Sequence, residues 1–278
     1  PMDQVYYDEQ TGKYGMMDWN VILNPVAMMD KSLVGENSYQ SKWFQSSASL
    51  TYHFPFLEGL SLTGLYSYDY TLNNNKEYSK TFTLYQPNGT PYKANTQQNG
   101  NSRISRYFYD KNATLSQIRL QFDRSFGNHD LSVMNLYEQS HNVGDNFYGR
   151  RYGVLPLAQI FAGITEDQEI LQSTSSGSLY DYANAASVGR LSYAFKSKYL
   201  AEFSYRYEGS SKFPKSHRWG FFPSVSAGWR ISEEAFWRNS SLSFISDFKF
   251  RGSYGITGDD SGLAYQFISG YQYPVSGS

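Results

Sequence analysis

Large apolar and small polar residues alternate one by one along much of this chain. In "RWGFFPSVSAGWRISEEAF", Phe221, Pro223, Val225, Ala227, Trp229 and Ile231 share one parity, and Phe222, Ser224, Ser226, Gly228, Arg230 and Ser232 share the other. Period two is the period of a strand, so the segment carries one apolar face and one mostly polar face. "GLSLTGLYSYDYT" repeats the pattern with Leu60, Leu62, Gly64, Tyr66, Tyr68 and Tyr70, Leu65 being the exception on the polar parity. "YLAEFSYRYEGS" sets Tyr199, Ala201, Phe203, Tyr205 and Tyr207 against Glu202, Ser204, Arg206 and Glu208. "GRLSYAFK" and "FKFRGSYGIT" do the same, the latter with Phe248, Phe250, Tyr254 and Ile256 against Lys249, Arg251, Ser253 and Thr257. "SASLTYHF" and "SQIRLQFD" are weaker cases. "LSVMNLYEQ" is ambiguous, because Leu131 and Val133 take one parity and Met134 and Leu136 the other.

The pattern predicts about eight strands in four hairpins. Short connections fall at 53–59, 126–130 and 195–198, and long polar segments at 71–104 and 140–180, with a shorter one at "GSSKFPKSHR". Short and long connections alternate. In an up-and-down meander this gathers the short turns at one end and the long loops at the other, the asymmetry of transmembrane barrels. A β-sandwich has no reason to sort its connections by end. One helix-like stretch, "LPLAQIFAG", lies within a long segment, with Pro156 suited to a first turn.

Composition sharpens this picture in two places. Aromatic residues make up 18% of the chain, yet its mean hydropathy is -0.57. Alternating strands average out as hydrophilic in this way, and no run of about eighteen apolar residues is present to form a membrane-spanning helix. The net charge of -1 argues against a nucleic-acid surface. There is no cysteine, which excludes disulfides and thiolate metal sites. Neither end has the look of a natural terminus: "PMDQVYYDEQ" shows no signal-peptide pattern and "YQYPVSGS" follows a strand-like run, so the chain reads as an internal piece of a longer protein.

If the apolar parity faces lipid, Trp229, Phe221, Tyr199 and Tyr207 near strand ends are interfacial girdles. Glu202, Arg206, Arg230, Lys249 and Arg251 then face a water-filled lumen. The same alternation would also serve a sandwich with a solvated charged face.

Three stretches, "FLEGLSLTGLYSYDYT", "GRLSYAFKSKYLAEFSYRYEGSSKFPKSHRWGFFPSVSAGWRISEEAF" and "KFRGSYGITGDD", resemble the SusC/RagA family of TonB-dependent outer-membrane transporters. The most specific part is "YRYEGSSKF" followed by "RWGFFPSVSAGWRISEE"; "FGNHDLSVMNLYEQS" and "YQFISGY" also fit. The resemblance implies that residues 1–278 are one partial barrel domain, all-β, from a parent with a plug and about 22 strands. It implies import of oligosaccharides or peptides, a SusD-like surface lipoprotein over the outer loops, and a TonB complex reached through N-terminal parts that this sequence does not contain. It also implies a bacterial outer-membrane location and no cofactor.

Other motifs carry less. "GSYGITGDD" has glycines but no following helix pattern, so it is not a phosphate loop. His53, His129, His141 and His217 are scattered, Asp259 and Asp260 lack the spacing of a calcium loop, and no nucleophile–base set stands out; neither a metal site nor catalysis is expected. "DNFYGRRYG" mixes Tyr148, Arg150, Arg151 and Tyr152 in an expected loop. Aromatic and guanidinium groups together suit a sugar or peptide, and equally suit holding a loop in place. Two other readings stay open at this point: a secreted carbohydrate-binding β-sandwich and an outer-membrane hydrolase barrel.

Overall fold

The computed structural model describes residues 7–16, 24–94, 101–153, 157–172 and 179–262. The strands, in chain order, are β1 (Tyr7–Asp8), β2 (Lys13–Tyr14), β3 (Gly35–His53), β4 (Leu60–Ser79), β5 (Phe82–Tyr85), β6 (Pro91–Ala94), β7 (Ser102–Phe126), β8 (His129–Gly153), β9 (Gln168–Leu171), β10 (Tyr180–Phe195), β11 (Tyr199–Ser210), β12 (Trp219–Arg230) and β13 (Lys249–Gly255). Three short helices complete the set: α1 (Pro25–Met29), α2 (Lys31–Val34) and α3 (Ala235–Arg238).

Eight strands form one path, β13-β12-β11-β10-β8-β7-β4-β3, with β9 paired beside β8. The long strands are therefore neighbours in chain order, as an all-β up-and-down meander requires. Among the described residues β3 and β13 stand at the two ends of this order, so the sheet does not close. The fold class is all-β, an open antiparallel up-and-down meander, as expected.

The strands are longer than the periodicity alone predicts. β4 runs twenty residues, through Asn73, Asn74 and Asn75. β7 and β8 run twenty-five each. Much of 71–104 and 140–180, expected as loop, is thus strand. The polar composition there was misleading, because a strand needs an apolar parity only where one of its faces meets an apolar phase. The ambiguous segment in β8 is settled by exposure: Val133, Asn135 and Tyr137 are exposed, whereas Met134, Leu136 and Glu138 are half-buried. The helix-like stretch contributes only a 3-10 turn at Ile160–Ala162, and Pro156 lies outside the described residues.

The helices that do form were not expected. Asn24 accepts from the backbone N–H groups of Val26 and Ala27 at 2.9 and 3.1 Å, with Pro25 in the first turn. Asp30 then caps α2 by accepting from Ser32 N–H. Both are ordinary N-cap chemistry, legible in "NPVAMMDKS" once a helix shorter than an amphipathic period is entertained.

The described residues belong to two compact units. The first comprises residues of 1–43, 70–111 and 144–179, and the second those of 44–69, 112–143 and 180–278. The first holds two buried apolar clusters. In one, Met16, Ala27, Phe82, Leu84 and Ala94 gather under Tyr14, Leu33, Val34 and Tyr92. In the other, Tyr78 and Ile104 pack against Ala158, Ile160 and Ala162. Among the described residues, Ala186 is the one buried hydrophobic residue of the second unit.

Two close approaches pin the sheet of the second unit. Gly59 has φ +90°, and a Cβ there would stand 1.9 Å from the Asp123 carbonyl oxygen, so the β3–β4 turn fits against β7 only without a side chain. Gly189 pairs with Tyr205, and a Cβ on it would stand 2.0 Å from that ring. Pro223 sits inside β12, where a missing N–H is costly. Its carbonyl accepts from Ile256 N–H at 2.9 Å just past the end of β13, so the missing donor falls where that ladder stops.

Candidate functional site: an inverted sheet with a charged face

In β11 and β12 the apolar parity is the exposed one. Phe203, Val225 and Phe221 are 43%, 52% and 54% exposed, and Tyr199, Tyr207, Trp219 and Trp229 are exposed as well. Glu202, Ser204, Arg206 and Glu208, on the other parity, are half-buried, and so are Phe222, Ser224, Ser226 and Arg230. A water-soluble sheet does the reverse. Contiguous apolar surface of this kind marks contact with another apolar phase or partner. The sandwich reading required these side chains to be enclosed between two sheets, and they are not.

The exposed rings are placed in two belts. At one end Tyr199 stacks on Trp229 (centroids 6.5 Å apart) and Phe195 on Tyr199 (6.4 Å). At the other end Tyr207 stacks on Trp219 at 5.0 Å. Trp219 and Trp229 are ten residues apart on one strand, roughly 33 Å at strand rise. A tilt of about 40° reduces this to about 25 Å, the height of a barrel's apolar band between its aromatic girdles.

The Tyr199–Trp229 belt is clasped by Glu234, in the connection after β12. Its carboxylate accepts from Tyr199 Oη at 2.7 Å, Trp229 Nε1 at 3.1 Å and Lys198 Nζ at 3.2 Å. The Tyr199 hydrogen bond, then that of Trp229, and more weakly the Lys198 charge hold this carboxyl below its usual range, against the opposing effect of desolvation. An interfacial aromatic with a polar tip needs such a partner at the boundary.

The half-buried parity carries a polar ladder across strands. Arg206 donates to Glu138 of β8 at 2.7 Å and to Glu208 at 2.5 and 3.0 Å. Gln117 of β7 donates to the other Glu138 oxygen at 3.0 Å. Ser192 donates to Glu202 at 2.7 Å, and Arg190 stands 3.4 Å from the same carboxylate. Next to this ladder an open concavity of about 940 Å³ is lined by Arg190, Glu202, Ser226, Lys249 and Arg251, among others. Cross-strand registers set Arg230 against Lys249, Gly228 against Arg251, Ser226 against Glu202 and Phe222 against Arg206, which puts Glu202, Arg206, Arg230, Lys249 and Arg251 on one parity of the sheet. Glu138 was missed, because its segment was ambiguous in parity; its alignment with Asp130, Ser132 and Ser140 was the available signal.

Tyr148, Arg150, Arg151 and Tyr152 lie on strand β8, not in a loop. The Arg150 guanidinium stands over the Tyr148 and Tyr152 rings, at 5.0 and 5.9 Å. It donates to Tyr152 Oη at 3.1 Å and Glu169 Oε2 at 3.2 Å, while Arg151 donates to Gln168. Arg150–Glu169 and Arg151–Gln168 are also the β8–β9 register pairs. Tyr152 is buried. Arg150, Arg151 and Tyr152 thus tie β9 to β8, Tyr152 by donating to Glu169 at 3.2 Å, while Tyr148 supports the Arg150 guanidinium from within β8; Tyr148 and Arg151 are half-exposed. Among the described residues no group of three His, Asp or Glu is arranged to hold a metal ion.

Residues 7–275 match the family described as TonB dependent receptor-like, beta-barrel. The chain belongs to the TonB-dependent receptor β-barrel family. Within it the relatives are of SusC/RagA type. TonB-dependent receptor SusC of Bacteroides thetaiotaomicron is 27% identical over 249 residues, 88% of this chain and 22% of that protein. TonB-dependent receptor P39 of Formosa agariphila is 46% identical over 79 residues, 28% of this chain and 7% of that protein. A solved structure of the RagAB peptide importer in its open-open state matches with a TM-score of 0.68 at 20% identity, over 92% of this chain and 26% of that one. The chain spans about a fifth of the length of SusC. These relatives are receptors rather than enzymes, and proteins of this receptor family reside in outer membranes.

Proposed function

We propose that this receptor chain forms part of the wall of an outer-membrane active transporter. Its apolar parity faces lipid, and its charged parity lines the aqueous path of an imported oligosaccharide or peptide. The observation that carries the reading is the inversion of β11 and β12, which leaves aromatic side chains exposed on one face and a paired Arg206–Glu138–Glu208 ladder on the other. Kinship with SusC, and likeness to the RagAB peptide importer, support the ligand classes and a SusD-like lipoprotein partner. Energy from a TonB complex would enter through other parts of the receptor. Arg150, Arg151 and Tyr152 take part by fixing β9, with Tyr148 beneath Arg150, next to the segment where ligand or lipoprotein would dock.

The test is to delete residues 157–171 from the intact receptor, keeping β8 and β10, and to follow three readouts in one strain. These are receptor in the detergent-extracted outer-membrane fraction, co-purifying lipoprotein, and growth on a supplied oligosaccharide or peptide. The expected result is an inserted receptor with reduced lipoprotein recovery or uptake. Recovery of the unaltered receptor in the soluble fraction would overturn the membrane reading. Unaltered growth and lipoprotein recovery would remove the functional role of this segment.

A further inference from the structure

Most charged groups on the polar face are matched by opposite ones. Arg190 has Glu202, and Arg206 has Glu138 and Glu208. One cluster is not. Arg230 stands directly across from Lys249 in the β12–β13 register, and Arg251 follows two residues along the same face. Among the described residues none of the three has an ion-pair partner, and Arg230 Nε is buried without a hydrogen-bond acceptor. Gly228 leaves room for the Lys249 stem: a Cβ there would stand 3.1 Å from Lys249 Cε. Lys249 and Arg251 line the 940 Å³ concavity, and its three carboxylates are hydrogen-bonded to other side chains: Asp123 accepts from Gln121, Asp130 from Ser125 and Glu202 from Ser192.

Like charges placed directly opposite one another in a sheet are destabilising. Lys249 and Arg251 are exposed and Arg230 is half-buried with its Nε shielded, so an anion seated among them would relieve the like-charge repulsion and satisfy that donor together. An oxyanion supplies several acceptors and negative charge together, and guanidinium forks suit its geometry. We propose that Arg230, Lys249 and Arg251 form a binding site for an anionic oxygen group, a carboxylate, sulfate or phosphate carried by the ligand. The inference rests on the reading that this face lines the ligand path, and it assigns that path a preference for acidic ligands.

The experiment uses the intact receptor purified in detergent. Its thermal unfolding midpoint is measured in sodium sulfate against sodium chloride at matched ionic strength, which separates site binding from screening. Sulfate is expected to raise the midpoint of the unaltered receptor with a saturating dose dependence. The K249Q/R251Q variant should lose that rise, whereas Arg238→Gln, whose charge is paired with Glu233 outside this concavity, should keep it. Without sulfate, Lys249→Gln should itself raise the midpoint by relieving the like-charge pair. An equal sulfate response in K249Q/R251Q would show general salting and overturn the site. A fall in midpoint on Lys249→Gln without sulfate would show that an acidic side chain of the receptor already fills it, and would overturn it too. These readouts involve no uptake, so failure of the transport test leaves them intact.

Discussion

The two units of this chain solve opposite problems with the same kind of strand. In the first, Leu84 and Ile104 are fully buried and short helices close over an apolar cluster. That is the organisation of a protein in water, stabilised by removing apolar surface from solvent. In the second, the apolar side chains of β11 and β12 face outward and the polar ones are shielded. Its order comes from ladder hydrogen bonds, belts of stacked rings and cross-strand ion pairs. The lesson is that exposure of a ring has no meaning until its solvent is known: Phe203 exposed to water would be a defect, and exposed to lipid it is at rest.

The comparison can be broken most forcefully at Leu84. Leu84→Ala in the intact receptor is expected to cost about 2–5 kcal/mol, as cavity formation in a buried core does. Val225→Ala on the exposed parity should cost less than about 1 kcal/mol, since lipid takes up the lost volume. Equal losses in unfolding titrations would mean that the second unit has a conventional core after all.

Next in size is a charge on the outward face. Phe203→Arg should cost roughly 2–4 kcal/mol near the bilayer midplane, and Ser204→Arg far less because its parity meets water. A folding titration into lipid bilayers reads both, and reversal of the order would exchange the two faces.

A smaller effect is expected at Asn24, whose side chain caps α1 and also donates to the Gly15 carbonyl at 2.7 Å. Asn24→Ala should lower stability by about 1–2 kcal/mol, and limited proteolysis should show the loss confined to the first unit.

The smallest effect tests the belt. The Glu234 carboxyl has a folded-state pKa below its unfolded value, so its contribution is present above the ordinary carboxylate range and is lost as pH falls through the lowered folded value. Glu234→Gln should flatten that acid limb of the stability profile and leave the neutral limb parallel. An unchanged acid limb would detach Glu234 from the belt.

The strands of the second unit were legible because two faces of opposite polarity impose a strict period of two, which "SVSAGWR" writes out residue by residue. The same alternation placed Arg230, Lys249 and Arg251 on one face. It failed in β8, where Met134 and Leu136 occupy the polar parity, so Glu138 and its bond to Arg206 went unseen. It failed again at 71–79 and 144–153, where strands continue beyond any apolar requirement. α1 and α2 were lost for a different reason: four or five residues cannot display a helical period, and only the caps Asn24 and Asp30 announce them.

By itself, then, the amino-acid order determined the strand period, the division of each strand into two faces, and the family, since all three depend on local spacing and short motifs. Only the tertiary structure decided which side chains meet. Arg150 is tied to Glu169, nineteen positions on, and Arg206 to Glu138, on a strand that is not its sequence neighbour. The charge of Arg230 is left facing that of Lys249 across β12 and β13. The physical reason is that alternation specifies a face, whereas register specifies a partner, and register is set by turns, glycine contacts such as Gly189 against Tyr205, and the packing of distant segments.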